Sequence, residues 1–222
     1  MNGFDVILDG ARLPDGGLAS IAVAAGRIAT IASDGAPLAA ARTRLDLAGA
    51  LVLPGLIEGH IHLDKTFIGD AWKSHRPCVA GFDVRERVAY EKAFLAGALP
   101  VEQRAAALIE RAVARGTIHM RCHVDIDPMA GLGNLEAVLA ARERYRHAVA
   151  IEIVAFPQSG ITSCPGMGDL LDAAVRNGAD LIGGLDPIGF DRDLHGHLDA
   201  VFGIAERHGV GIDLHLHDPG HL

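Results

Sequence analysis

The segment Gly59-His60-Ile61-His62-Leu63-Asp64-Lys65 sets two imidazoles two residues apart, and a second such pair, His215 and His217, stands in Ile212-Asp213-Leu214-His215-Leu216-His217-Asp218-Pro219-Gly220. Side chains on an extended strand alternate faces with a period of two. His60, His62 and Asp64 are therefore expected on one side of one strand, and His215 and His217 on one side of another. Imidazole nitrogen suits zinc or ferrous iron, and either ion draws its ligands from more than one element. A lone His-x-His is more often packing or surface chemistry than a metal site. Two such pairs at strand ends shift the balance to a catalytic metal centre, with His60, His62 and His215 the stronger ligands and His217 the weaker. The bland alternative is a buried histidine network satisfied by carboxylates.

Other polar residues fall at the ends of expected strands. Gln158, in IVAFPQSG, both donates and accepts hydrogen bonds, which suits a planar amide or an N-heterocycle, or else caps a strand end. His123 and Asp125 are two apart and either face a pocket together or organise a layer behind structural histidines. Lys65 either touches substrate or neutralises the acids around it, and Asp186 is a further candidate substrate contact. Some chemistries find no motif: there is no GxxxxGK, no dinucleotide fingerprint around Gly131 or Gly166, no HExxH, and no serine in residues 55–59. Cys78, Cys122 and Cys164 are too scattered for a CxxC site and read as packing residues.

The elements that must position these residues are a run of strand-helix units. Residues 101–115 put Ala105, Leu108, Ile109, Ala112 and Val113 on one helical face and Glu102, Arg104, Glu110 and Arg111 on the other. Helical segments at 132–148, 167–177 and 198–207 alternate with strands starting near Ile118, Ile151, Leu181 and Ile212, a spacing of about 30 residues that matches a βαβ repeat. Candidate residues at several successive strand ends favour a barrel over an open sheet, which gathers ligands at one switch point. Ahead of this, residues 4–8, 21–23, 28–31 and 45–53 read as short strands separated by turns at Asp9-Gly10, Asp15-Gly16-Gly17 and Gly26. The expectation is an α/β chain: a small β-module over 1–53, then five strand-helix units of a TIM-like (β/α)8 barrel over 54–222. An eight-stranded barrel needs more, so the chain reads as the N-terminal part of a longer protein.

Composition narrows the function classes. The 222 residues are 50% hydrophobic and 22% charged, enough to bury a core, with a formal net charge of -8 that offers no footprint for a nucleic-acid backbone. A small-molecule substrate is the better expectation. Sparse cysteines indicate a reducing compartment, no basic leader opens the chain, and no apolar run approaches the roughly 20 residues that span a membrane, so a cytoplasmic location without a membrane partner is expected.

In order along the chain, LVLPGLIEGHIHLDKTF, RCHVDID, IEIVAFPQSGI and IDLHLHDPG resemble the amidohydrolase superfamily, especially its cytosine deaminase and N-isopropylammelide amidohydrolase branch. The resemblance implies a distorted TIM barrel flanked by a β-sandwich, with residues before Pro54 as the sandwich's N-terminal contribution. It implies that His60 and His62 bind metal from the first barrel strand and His215 from the fifth. Gln158 matches an amide-recognising glutamine. Asp218 stands where the family has a proton-shuttling glutamate and is one methylene shorter. The family's later histidine and eighth-strand aspartate have no counterpart in this sequence. The fourth-strand segment LIGGLDPI lacks the lysine that bridges two metals in related enzymes, so the implied cofactor is one divalent ion, Zn2+ or Fe2+. The implied activity is hydrolysis of a C–N bond in a small N-heterocycle such as cytosine or an aminotriazine. Cyclic-amide hydrolysis and a non-catalytic binding scaffold are the alternatives, and a homo-oligomer is compatible with the resemblance.

Overall fold

A computed structural model describes residues 3–81 and 83–216. The chain divides into two compact units, Met1–Pro54 and Gly55–Leu222.

In the first unit β1 (Phe4–Arg12), β2 (Leu18–Ala24), β3 (Arg27–Ser33) and β4 (Ala41–Asp46) form one sheet in the order β3-β2-β1-β4. The two hairpins are antiparallel, and β4 runs parallel to β1. The described residues give one sheet, not the two facing sheets of a sandwich. Asp9-Gly10 is not a turn: β1 continues through it, and its register to β2 shifts between Leu8 and Ala11. Gly10 there has φ +61, a conformation open to glycine, and the extra residue is absorbed as a bulge. The strand expected over 45–53 ends at Asp46, where Ala48 and Gly49 take positive φ and turn the chain so that the Val52 amide donates to Arg12 O.

The second unit is a five-stranded parallel sheet, ordered β5 (Leu56–Ile61), β6 (Thr117–Asp125), β7 (Ala150–Phe156), β8 (Leu181–Leu185) and β9 (Gly211–His215). The helices are α1 (Val84–Leu95), α2 (Val101–Val113), α3 (Gly133–Tyr145), α4 (Met167–Arg176) and α5 (Leu194–His208), with a π-helical turn at Pro187–Asp191. Met120, Cys122 and Val124 on β6, Ile151, Ile153 and Ala155 on β7, and Ile182 on β8 join Ala105, Ile109, Leu135, Val138, Leu171 and Val201 of the helices in one buried core. Burying each of the larger side chains contributes about 1.5–3 kcal/mol.

The opposite face of the strands mixes polar residues of β6 and β9 with Phe156 and Leu185, and it is concave. Arg121 on β6 lies 2.6 Å from Glu152 on β7 and 3.0 Å from Asp213 on β9, although β7 and β8 separate β6 from β9. His60 on β5 and His215 on β9 sit at opposite edges of the sheet order, yet their ring nitrogens are 3.2 Å apart. Four strand spacings in a flat sheet would hold them roughly 19 Å apart. The sheet therefore curls as part of a barrel does. On the helix-facing side of β8, shared with Ile182, Gly184 lets α5 and β9 pack close, because a Cβ there would lie 2.0 Å from Leu214 Cδ2 and 2.7 Å from His197 Nε2.

Arg104 does not lie on a solvated helical face: it is buried, and its guanidinium donates to the carbonyls of Leu99, Asp64 and Thr66 at 2.7, 2.8 and 2.5 Å. Helix α1, which lacks a marked apolar stripe, was not foreseen. Its start is set by Asp83, whose side chain accepts from the Glu86 amide at 2.9 Å. No described helix is long and apolar enough to cross a membrane.

Candidate metal centre

The histidines meet at the C-terminal ends of the curled strands. His60 is the second-last residue of β5, His123 lies near the end of β6, and His215 closes β9. One ring nitrogen from each of these three lies within 4.8 Å of the other two. His62 joins them, with its Nε2 3.3 Å from His60 Nε2. The rings of His60 and His123 stack with centroids 4.3 Å apart, and Phe156 closes one side of the cluster at 4.7 Å from His215 and 5.6 Å from His123.

His60, His62 and Asp64 do not share one strand face. β5 ends at Ile61 and residues 63–65 form a turn, which carries Asp64 away from the histidines and into the protein. Its buried carboxylate accepts from the Asp125 amide at 2.9 Å. Lys65 lies 3.2 Å from Asp125 and 3.4 Å from Glu91, so its side chain neutralises acids. Burial pushes the pKa values of Asp64 and Asp125 up, against the opposing charge of Lys65. The three carbonyl acceptors of Arg104 include those of Asp64 and Thr66, which fixes the turn just after His62.

Burial favours the neutral form of His62, His123 and His215. Burial, then the positive charge of Lys65, pushes His62 down to about 2. Burial also lowers His123, in spite of the Asp213 carboxylate 3.1 Å from its Nε2, and it lowers His215. Neutral imidazole is the ligand form, since a protonated ring has no lone pair to give. Buried Nδ1 atoms of His62, His123 and His215 have no hydrogen-bond partner among the described residues. Several neutral nitrogens converging on one place, some without partners, fit a divalent cation such as zinc or iron. The nitrogens that converge are those of His60, His123 and His215; His62 approaches His60, and Asp213 lies 3.1 Å from His123.

The remaining expected residues take diverse places. Gln158 is half-buried, two residues beyond β7, and its backbone amide donates to Phe156 O at 3.1 Å. Asp186 is buried directly after β8 with φ +36; its side chain accepts from the Gly189 amide at 3.2 Å, and its own amide donates to His215 O at 2.8 Å. It thereby caps the π-helical turn and ties β8 to the end of β9. His217 and Asp218 lie outside the described residues.

Sequence reasoning missed two supports of this rim. Lys92 on α1 donates to Asp127 and, at 2.7 Å, to Ser159, next to Gln158. The buried carboxylate of Asp191 accepts from the amides of Ile161, Thr162 and Ser163, from the Ser163 hydroxyl at 2.5 Å, and from His197 Nδ1 at 2.6 Å. His197 Nε2 is buried without a partner, so the tautomer with its proton on Nδ1 is the one that strands no donor. Burial works to raise the Asp191 pKa, but the bonds from Ser163, His197 and the loop amides outweigh it and hold it below 3.8. This carboxylate pins the loop after β7, which carries Gln158, to the connection after β8. Only Asp213 of the supporting residues had a readable signal, its period-two spacing from His215.

The amidohydrolase family model matches residues 44–222. The chain belongs to the amidohydrolase family. N-isopropylammelide isopropyl amidohydrolase of Pseudomonas sp. (strain ADP) is 33% identical over 188 residues, which are 81% of this chain and 45% of that protein. Among solved structures, N-isopropylammelide isopropylaminohydrolase from Burkholderia multivorans matches with a TM-score of 0.87 and 41% identity, covering 97% of this chain and 54% of that one. The 5-methylcytosine deaminase from Klebsiella pneumoniae, liganded with 5-fluorocytosine, gives a TM-score of 0.78 and 29% identity, covering 97% and 52%. The amidohydrolase chain described here thus spans about half the length of these relatives.

Proposed function

We propose that this amidohydrolase chain forms the metal-binding part of a hydrolytic deaminase or amidohydrolase that cleaves a C–N bond of a small N-heterocycle, cytosine or an aminotriazine being the leading substrates. The observation that carries the reading is the convergence of His60, His123 and His215 nitrogens within 4.8 Å from the two edge strands of a curled sheet and the strand next to one of them. Names of relatives acting on N-isopropylammelide and 5-methylcytosine support the substrate class. On this reading the first unit is one contribution to a β-sandwich, residues 54–222 are five units of a (β/α)8 barrel, and the protein works in the cytoplasm.

His60, His62 and His215 would hold one zinc or ferrous ion, with His123, whose nitrogen lies in one group with those of His60 and His215, as a further donor and Asp213 beside it. Such an ion would supply water of lowered pKa near pH 7. Gln158 donates to and accepts from the ring amide and so orients the heterocycle in its plane. Asp218 carries a proton to a ring nitrogen and then to the leaving amine; its shorter reach than glutamate requires a closer substrate or a bridging water. The absence of lysine in β8 and the segment after it supports a single ion.

The test is release of ammonia from cytosine and of isopropylamine from N-isopropylammelide by the purified protein supplied with zinc or ferrous iron. Release that is lost in His60→Ala and His62→Ala is the expected result. Turnover unchanged in both variants would sink the metal-centred mechanism, and no release from either substrate would sink the substrate assignment.

A further inference from the structure

The connection between β5 and α1 carries a second concavity, of about 350 Å³, that shares no lining residue with the histidine cluster. Its volume lies in the range of small-molecule sites, about 300–1,000 Å³. Phe67, Trp72 and Phe94 give it three aromatic rings, and Lys73, Arg76 and Arg87 give it three cations. In a chain of formal net charge -8, that grouping runs against the overall balance.

The cations are held by neutral partners. Lys73 Nζ donates to Phe94 O at 2.9 Å and lies 5.0 Å from the centroid of the Phe67 ring. The Arg76 guanidinium sits 3.9 Å from the Tyr90 ring centroid, and Arg87 Nη1 donates to Arg76 O at 2.6 Å. Among the described residues none of the three forms an ion pair with a carboxylate. Asp70, the one carboxylate on the lining, is already committed to the amides of Leu99 and Ala71 at 2.8 and 2.7 Å. Three positive charges thus share the lining with the single carboxylate of Asp70, whose charge acts on Lys73 without a direct ion pair, so positive charge is in excess.

Beside them Trp72 is 86% exposed. A large ring open to solvent offers a flat surface for stacking, and fixed guanidinium and ammonium groups offer charge-assisted hydrogen bonds to an oxyanion. A ligand that satisfies both is planar at one end and anionic at the other. We infer that this pocket binds a small aromatic anion, with its ring against Trp72 and its carboxylate or phosphate toward Lys73, Arg76 and Arg87. The site is independent of the hydrolytic reading and stands or falls on its own test.

Trp72 is the only tryptophan of the chain, so fluorescence excited selectively at tryptophan, beyond tyrosine absorption, reports this pocket. The purified protein is titrated at low ionic strength with benzoate and phenyl phosphate, with benzamide as the neutral planar control and inorganic phosphate as the anion without a ring. The expected result is a saturable change with benzoate or phenyl phosphate and none with either control. In the double variant Lys73→Gln/Arg76→Gln the affinity falls about tenfold or more, as loss of charge-assisted bonds requires. Lys73→Gln alone, which leaves Arg76 on Tyr90, gives an intermediate loss and guards against a folding defect in the double variant. No saturable change with either aromatic anion, an equal response to benzamide or to inorganic phosphate, or unchanged affinity in both variants overturns the inference.

Discussion

Replacing Asp191 by alanine removes one carboxylate and strands donors from two segments. In the native protein that carboxylate accepts from three consecutive loop amides, Ile161, Thr162 and Ser163, from the Ser163 hydroxyl, and from His197 Nδ1. Thr162 and Ser163 are exposed, so their groups recover water, whereas Ile161 and His197 are buried and do not. An orphaned buried donor costs about 1–3 kcal/mol, and breaking a buried charged partnership about 3–5 kcal/mol. The expected loss for Asp191→Ala is therefore about 4 kcal/mol, near the upper end of single substitutions. Asp191→Asn keeps one acceptor oxygen but turns an amide N–H toward other donors, so it loses about 2–3 kcal/mol. The pH dependence has a definite sign. The folded pKa of Asp191 lies below its ordinary 3.8, so its contribution is complete above that value and is lost as pH falls through the folded pKa. Urea unfolding followed by circular dichroism at pH 7 and at pH 3 measures both effects. A loss under about 1 kcal/mol for Asp191→Ala at pH 7 would refute the reasoning, because no buried donor could then have been stranded.

Two further perturbations test the packing around the site. A Gly184→Ala side chain would meet Leu214 Cδ2 at 2.0 Å and His197 Nε2 at 2.7 Å, so overpacking should cost about 1–3 kcal/mol in urea unfolding, whereas Gly203→Ala, with no atom near its added Cβ, should cost nothing or stabilise α5. Burial pushes the Cys122 thiol well above its usual range, so iodoacetamide in native buffer should modify it far more slowly than Cys78, as read by peptide mass spectrometry; equal rates would mean that the β6 core opens readily.

The sequence made the strand-helix alternation legible because apolar residues on β6, β7 and β8 bury against helices that repeat at a regular interval. The position at strand ends also marked His60 and His215, whereas His123, which shares their group of converging nitrogens, was legible only as a residue facing a pocket or supporting the histidines. Asp64 escaped that logic because β5 stops at Ile61, and only the fold reveals where a strand gives way to a turn. Arg104 was misplaced for a related reason: a long side chain on the polar edge of a helix can be drawn inward when unpaired carbonyls, here those of the turn at 64–66, lie within reach. The Asp191–His197 pair pins a loop roughly 30 residues earlier in the chain, and no local pattern encodes such a partnership.

The claim on which the functional account depends is that the histidines at the strand ends bind one divalent ion. Elemental mass spectrometry on protein purified without chelator measures this directly, alongside His60→Ala/His215→Ala prepared in the same way. The account predicts about one zinc or iron per chain, lost in the double variant while its circular dichroism spectrum stays native. Metal content near zero in the unmodified protein after dialysis against zinc and ferrous iron, or content unchanged in the double variant, would contradict it.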